Sequence, residues 1–217
     1  MKLFAHPFSS YCQKVLIPLY ENGVPFEWRL LAPGHDEEAA EHARLWPLRR
    51  MPVLVDEGRT VVEASIIVEY LDLHHPGPVR MLPENPRAAL EVRTMDRFFD
   101  NYVMTPMQKI VFDAIRPPDS RDPAGVADAR SLLDTAYRWL DERMSDREWA
   151  AGRAFSLADC AAAPSLFYAD WVHPIPDACA SVRAYRRRLV ARPSFARAVD
   201  EARPYRPNFP LGAPDRD

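Results

Sequence analysis

The sequence predicts a two-part protein, a small α/β domain with a mixed sheet followed by an all-helical domain. Three observations carry this reading. Before His75 the elements read strand, helix, strand, helix, strand, strand, helix. Beyond Arg87 the strand signals stop, and apolar residues recur at helical spacing. Between these runs, His75-Pro76-Gly77-Pro78 and Pro83-Glu84-Asn85-Pro86 are dense in helix breakers and mark a linker. The expected domains are residues 1–76 and 87–217.

Lys2 to Ala5 reads as a strand, and Pro7, Ser9 and Ser10 supply a loop with capping side chains. A helix then begins near Tyr11. Its Cys12, Val15, Leu16 and Leu19 share one face, and Gly23 ends it. Pro18 removes the bond to the Lys14 carbonyl, so a local kink is expected. Phe26 to Leu30 forms the second strand, and Asp36 to Arg44 an acidic helix with few core residues. Met51 to Val55 and Arg59 to Val62 make a hairpin around Gly58. Glu63 to Leu73 follows as a helix, with Ile66, Ile67, Tyr70 and Leu71 facing inward.

In the second part, Met95, Phe98, Phe99, Tyr102 and Val103 mark a long helix that bends at Pro106. Asp122-Pro123 opens the next, whose stripe runs from Val126 through Ala129, Leu133, Ala136 and Leu140 towards Met144. Ser156 with Asp159 forms a capping box for a helix through Phe167. Further helices lie around Tyr185 and Phe195, and the proline-rich tail beyond Pro204 reads as non-helical.

Composition narrows the function. With 217 residues, 47% of them hydrophobic, the chain can bury a proper core. A net charge of -3 argues against a protein built to grip nucleic acid or an anionic membrane. No stretch approaches a membrane span and no charged leader opens the chain, so a cytoplasmic location is expected. Cys12, Cys160 and Cys179 are scattered and odd in number, which suggests reduced thiols. The histidines lack metal-ligand spacing, so no metal is assigned. The run Arg183, Arg186, Arg187, Arg188 and Arg192 reads as a solvated helix face.

The most informative chemistry sits before the first helix. Ser9-Ser10-Tyr11-Cys12 places two hydroxyls and a thiol where free amide hydrogens and the positive end of the helix dipole converge. Such a place stabilises an anion, a thiolate above all. Two roles compete for the serines: capping the helix, or donating to a bound thiolate.

Phe8-Ser9-Ser10-Tyr11-Cys12-Gln13-Lys14-Val15 resembles the active-site loop of the serine-type glutathione transferases, the theta, delta and zeta-like classes. Trp46-Pro47-Leu48-Arg49-Arg50-Met51-Pro52-Val53-Leu54, Glu63 to Leu71, His74 to Gly77 and Phe155 to Asp159 resemble further stretches of that family in the same order. The resemblance implies a thioredoxin-like N-terminal domain, an all-α C-terminal domain and a homodimer. It implies glutathione as co-substrate and a small electrophile as second substrate. Ser9, or Ser10 if the loop is shifted by one, would meet the glutathione sulfur. Cys12, Arg50, Met51, Pro52, Glu63, Ala64 and Ser65 would belong to the glutathione site. Pro52 would be a cis-proline, Met51 would pair with the cysteinyl unit, Arg50 would meet the glycyl carboxylate, and Glu63 would meet the amino group. Phe8, Tyr11, Phe98, Tyr102 and Met104 are candidates for the second-substrate wall, against the plainer reading of a core stripe. Ala64 replaces the family's usual serine or threonine, Trp46 its asparagine and Arg49 its glycine. These departures support an alternative, a non-catalytic binding or regulatory module of the same fold. A disulfide oxidoreductase acting through Cys12 would want a second cysteine at position 9.

Overall fold

Four strands and nine α-helices carry the chain in the computed structural model, which describes all 217 residues. The first part is β1 (Lys2–Ala5), α1 (Ser10–Glu21), β2 (Glu27–Leu30), α2 (Asp36–Leu45), β3 (Val53–Asp56), β4 (Arg59–Val62) and α3 (Ala64–His74). The strands lie in the order β2-β1-β3-β4. β1 runs parallel to β2, with Leu3 opposite Trp28. It runs antiparallel to β3, where Leu3 meets Leu54. Parallel neighbours need a crossover, which α1 supplies. Glu57 and Gly58, at φ 48 and 79, close the β3–β4 hairpin with the paired left-handed residues that match strand twist.

The apolar face of α1 is buried as its spacing requires, but Gln13, Lys14 and Ile17 are buried with it. The reason is position: α1 packs against α3 on one side and against α7 (Leu157–Val172) and α9 (Pro193–Ala202) on the other. The helix continues through Pro18 to Glu21. On α3, Ile67, Val68 and Leu71 are buried while Ile66 faces outward, which corrects the expected inward face by one residue.

The second part continues with α4 (Pro86–Phe98), α5 (Thr105–Ala114), α6 (Pro123–Met144), α7, α8 (Ala180–Val190) and α9. Where one helix bent at Pro106 was expected, α4 and α5 are joined by a π-helical stretch, Phe99–Met104. Pro106 has no N–H for the Tyr102 carbonyl, and a wider turn just before it redistributes the partners. Thr105 Oγ1 donates to the Asp100 carbonyl at 2.8 Å within that turn.

The capping box opens α7 as the spacing indicated. Asp159 is fully buried and does more than cap. Its Oδ2 accepts from the Ser156 amide at 2.9 Å, and its Oδ1 from the Ala150 amide at 2.9 Å and the Tyr185 hydroxyl at 2.6 Å. One carboxylate thus ties the preceding loop, α7 and α8 together. The tail, expected to be non-helical, winds into a 3-10 turn over Arg203–Asn208 and then drapes on the helical part, where Phe209 is buried against Trp171, ring centres 5.2 Å apart. Arg186 is buried too, so the arginine run is not one solvated face. No helix is long and apolar enough to cross a membrane.

Candidate functional site

The β1–α1 loop, the α2–β3 loop, the start of α3, α5 and the tail enclose a cavity of about 740 Å³. Its floor begins at Ser9, the residue before α1, whose extended backbone turns the chain into the helix. The Ser9 side chain makes no capping hydrogen bond, which removes the competing role considered for it. The loop is held from both sides. Gln13 Nε2 donates to the Pro7 carbonyl at 3.0 Å and to the Tyr168 hydroxyl at 3.0 Å, and that hydroxyl donates to the Phe8 carbonyl at 3.2 Å. Ser10 also lines the cavity, although it is itself buried.

Cys12 does not reach the cavity. It is fully buried, and burial pushes its thiol up to about 11 against opposing contacts with Ser9 and the His6 backbone. A thiol so held stays protonated at neutral pH. The expected place of Cys12 among the glutathione contacts is therefore corrected: it packs in the core beneath the Ser9 loop.

The second wall is the α2–β3 loop. Arg49 sits at φ 52, a left-handed conformation that suits the glycine it replaces. His42 is buried on α2 and its Nε2 lies 3.0 Å from the Arg50 carbonyl, which anchors the loop. The Met51–Pro52 peptide is cis. The Met51 amide and carbonyl take no hydrogen-bond partner in the backbone, and Met51 lines the cavity. Neither the Arg49 nor the Arg50 guanidinium has a carboxylate partner.

Glu63, the residue before α3, also lines the cavity, at φ 70 and exposed. No cation of the chain pairs with it, and its side chain leaves the first-turn amides of α3 uncapped. Ala64 and Ser65 follow at the cavity edge. The Ser65 hydroxyl is not free, contrary to expectation. It accepts from Lys14 Nζ at 2.9 Å and donates to Asp96 Oδ2 at 2.9 Å, with Arg97 beside it. Lys14 is only 1% exposed and also meets Asp96 Oδ1 at 2.6 Å and Asp100 Oδ2 at 2.8 Å. This buried ion cluster joins α1, α3 and α4. Burial holds the Asp100 carboxyl above the usual carboxylate range, with Lys14 opposing.

The apolar wall differs from the one the sequence suggested. Phe8 and Tyr11 line the cavity, but Phe98, Tyr102 and Met104 do not. Met104 is core, and Phe98 packs on Tyr102 and Trp139 at the surface. Their place is taken by Met107, Val111 and Phe112 from α5 and by Phe209 from the tail. Burial, and then Asp100, push the Tyr11 phenol above its ordinary range, so it remains a neutral donor. His6 was not singled out in the sequence. It lines the cavity, burial lowers its pKa, and its Nδ1 accepts from the Phe8 amide at 3.1 Å.

Residues 3–79 match the glutathione S-transferase N-terminal domain family and residues 123–188 the glutathione S-transferase C-terminal domain family. A probable maleylacetoacetate isomerase of Vibrio cholerae is 26% identical, over 93% of this chain and 96% of its own. A stringent starvation protein A homolog of Haemophilus ducreyi is 26% identical, over 94% of this chain and 92% of its own. The crystal structure of a glutathione S-transferase from Methylobacterium radiotolerans, in complex with glutathione sulfonate, superposes with a TM-score of 0.78 at 31% identity, covering 91% of this chain and 93% of that one.

Proposed function

Because this chain belongs to the glutathione S-transferase family, we propose that its cavity binds glutathione, ionises the thiol at Ser9 and delivers the thiolate to an electrophile held against the α5 wall. The observation that carries this reading is the charge pattern around Ser9. Unpaired Arg49 and Arg50 line the cavity from the α2–β3 loop together with Met51, whose backbone has no partner, and unpaired Glu63 lines it from the start of α3. A γ-glutamyl tripeptide has the complementary layout: a glycyl carboxylate at one end, an extended amide in the middle, an ammonium at the other. The extended middle pairs with Met51 as an added strand would. The γ-glutamyl carboxylate meets the uncapped amides of α3, where the helix dipole favours negative charge.

In this reading the cysteinyl sulfur lies beside Ser9. The thiol proton leaves to solvent, and the Ser9 hydroxyl donates to the thiolate without forming a bond to substrate. The sulfur then attacks an electrophilic carbon of the second substrate and the displaced group departs with its electron pair. Phe8, Met107, Val111 and Phe112 favour an apolar electrophile. The name of the Vibrio relative adds isomerisation as a reaction to assay. The non-catalytic alternative draws on the name of the Haemophilus relative and on the committed Ser65 hydroxyl.

Calorimetric titration of glutathione, followed by turnover of a generic aryl halide and of a cis-unsaturated diketo acid, tests the proposal. Saturable binding with turnover of either substrate supports it. Binding without any turnover hands the case to the non-catalytic module.

A further inference from the structure

A second cavity, of about 350 Å³, opens between α8 and the end of α7 and shares no residue with the first. It is walled by four guanidinium groups, Arg183, Arg186, Arg187 and Arg216, against one carboxylate, Asp170. Arg183, Arg186 and Arg187 lie three and four residues apart on α8, so the helix turns all three to one face.

That single carboxylate is already in use. Asp170 Oδ1 accepts from the Ile175 amide at 2.9 Å, and Oδ2 accepts from Arg216. Arg186 is 7% exposed and only partly satisfied. Its Nη1 donates to the Asp217 carbonyl at 3.2 Å, its guanidinium lies 5.5 Å from the Phe167 ring centre, and its Nε stands 3.3 Å from Asp170 without hydrogen-bond geometry. Its Nη2 has no partner at all. Buried polar groups are normally satisfied, and a buried cation without its full complement of acceptors is costly. Arg187 is exposed and has no carboxylate partner, and the partner of Arg183 is Asp177, a residue open to solvent.

We propose that this cavity is a second ligand site, for a compact oxyanion carrying two negative charges, a phosphoryl group being the best fit. A tetrahedral oxyanion supplies several acceptors at once, enough for Arg183 and Arg187 with the Arg186 charge beside them, and guanidinium forks suit it. The volume leaves room for a substituent on the phosphoryl group. The ligand is therefore either free phosphate or a phosphate monoester.

The test is calorimetric titration at low salt of inorganic phosphate and of adenosine monophosphate, with the full chain and with the variants Arg187→Ala and Arg186→Lys. The expected result is one site per chain, with affinity reduced about tenfold or more in Arg187→Ala, whose exposed position spares the fold. Equal affinity for the two probes identifies the phosphoryl group alone as the ligand, and tighter monoester binding identifies the ester. Arg186→Lys serves as the second variant, since it keeps the charge and loses the fork. Glutathione affinity, a property of the other cavity, is the same in the parent and in Arg187→Ala. No saturable binding of either probe, or binding that both variants leave unchanged, overturns the proposal.

Discussion

Lys14 Nζ donates to the hydroxyl of Ser65 at 2.9 Å, across the seam between α1 and α3. The ammonium that holds Ser65 is also the charge partner of Asp96 and Asp100, so the start of α3 is fixed to α4 through one buried side chain. Lys14→Met leaves two buried carboxylates short of a cation, and the expected loss of stability is about 3 kcal/mol. Urea denaturation measures it. Adding Asp100→Asn to Lys14→Met should recover part of the loss; strict additivity of the two changes would show that the groups are not coupled.

Ser65→Ala acts on the same anchor. The hydroxyl is committed inside the chain, so its removal should cost about 1–3 kcal/mol of stability while its effect on glutathione affinity stays small. Glu63→Gln behaves in the opposite way. Its carboxylate has no partner in the chain, so stability is unchanged and glutathione affinity falls about tenfold. Calorimetry and denaturation on both variants separate the two roles, and equal effects on binding would contradict the assignment.

Ser9→Ala is expected to raise the pKa of the bound glutathione thiol by roughly one to two units, the value of one charge-assisted hydrogen bond, and to lower turnover with little change in affinity. Ultraviolet absorbance of the bound thiolate against pH follows the first effect. An unchanged titration curve would move the role to Ser10 or Tyr11, which share the cavity.

Cys12 provides the control. Its thiol is pushed up to about 11 from 9.0, a proton held more tightly in the folded than in the unfolded state. The associated stabilisation is present below the unfolded thiol's pKa and is lost as pH rises through the folded value. Alkylation of native Cys12 at pH 8 should thus be slow and become fast only on unfolding, and Cys12→Ala should leave turnover nearly intact. Rapid alkylation that abolishes turnover would instead make Cys12 a member of the site.

The loop residues of this site were legible because each carries a local signal: serines before a helix, an acidic residue opening α3, a proline opening β3. The α5 wall was not. A π-helical turn adds a residue to the helix between Phe99 and Met104 and rotates everything after it by about 100° relative to a straight helix. Phe98, Tyr102 and Met104 lie before or within that turn, where they face Trp139 or the core, whereas the cavity is met by Met107, Val111 and Phe112 beyond it. Lys14 was hidden for a different reason. A lysine amid apolar residues ordinarily reads as a solvated charge, and its two carboxylate partners lie more than 80 positions away.

A dimer is the expected assembly, on the ground of what α3 and α4 leave uncovered. Ile66 and Leu73, seven residues apart on α3, are 53% and 74% exposed, and Leu90 on α4 is 65% exposed. The Arg93–Glu69 pair, at 2.8 Å, brings the two faces side by side, since Glu69 lies three residues after Ile66 and Arg93 three after Leu90. Large apolar side chains grouped in this way on a folded surface mark a contact. The family suggests a two-fold dimer, and a two-fold interface uses the same patch on both copies, so one substitution is felt twice. Leu73→Asp and Leu90→Asp should each convert a dimer to monomers without unfolding the chain, because neither side chain contributes to the core. Light scattering at micromolar concentration reads the mass and circular dichroism the fold. A parent protein that is already monomeric at that concentration would exclude the dimer, and a dimer indifferent to both substitutions would place the interface on another face.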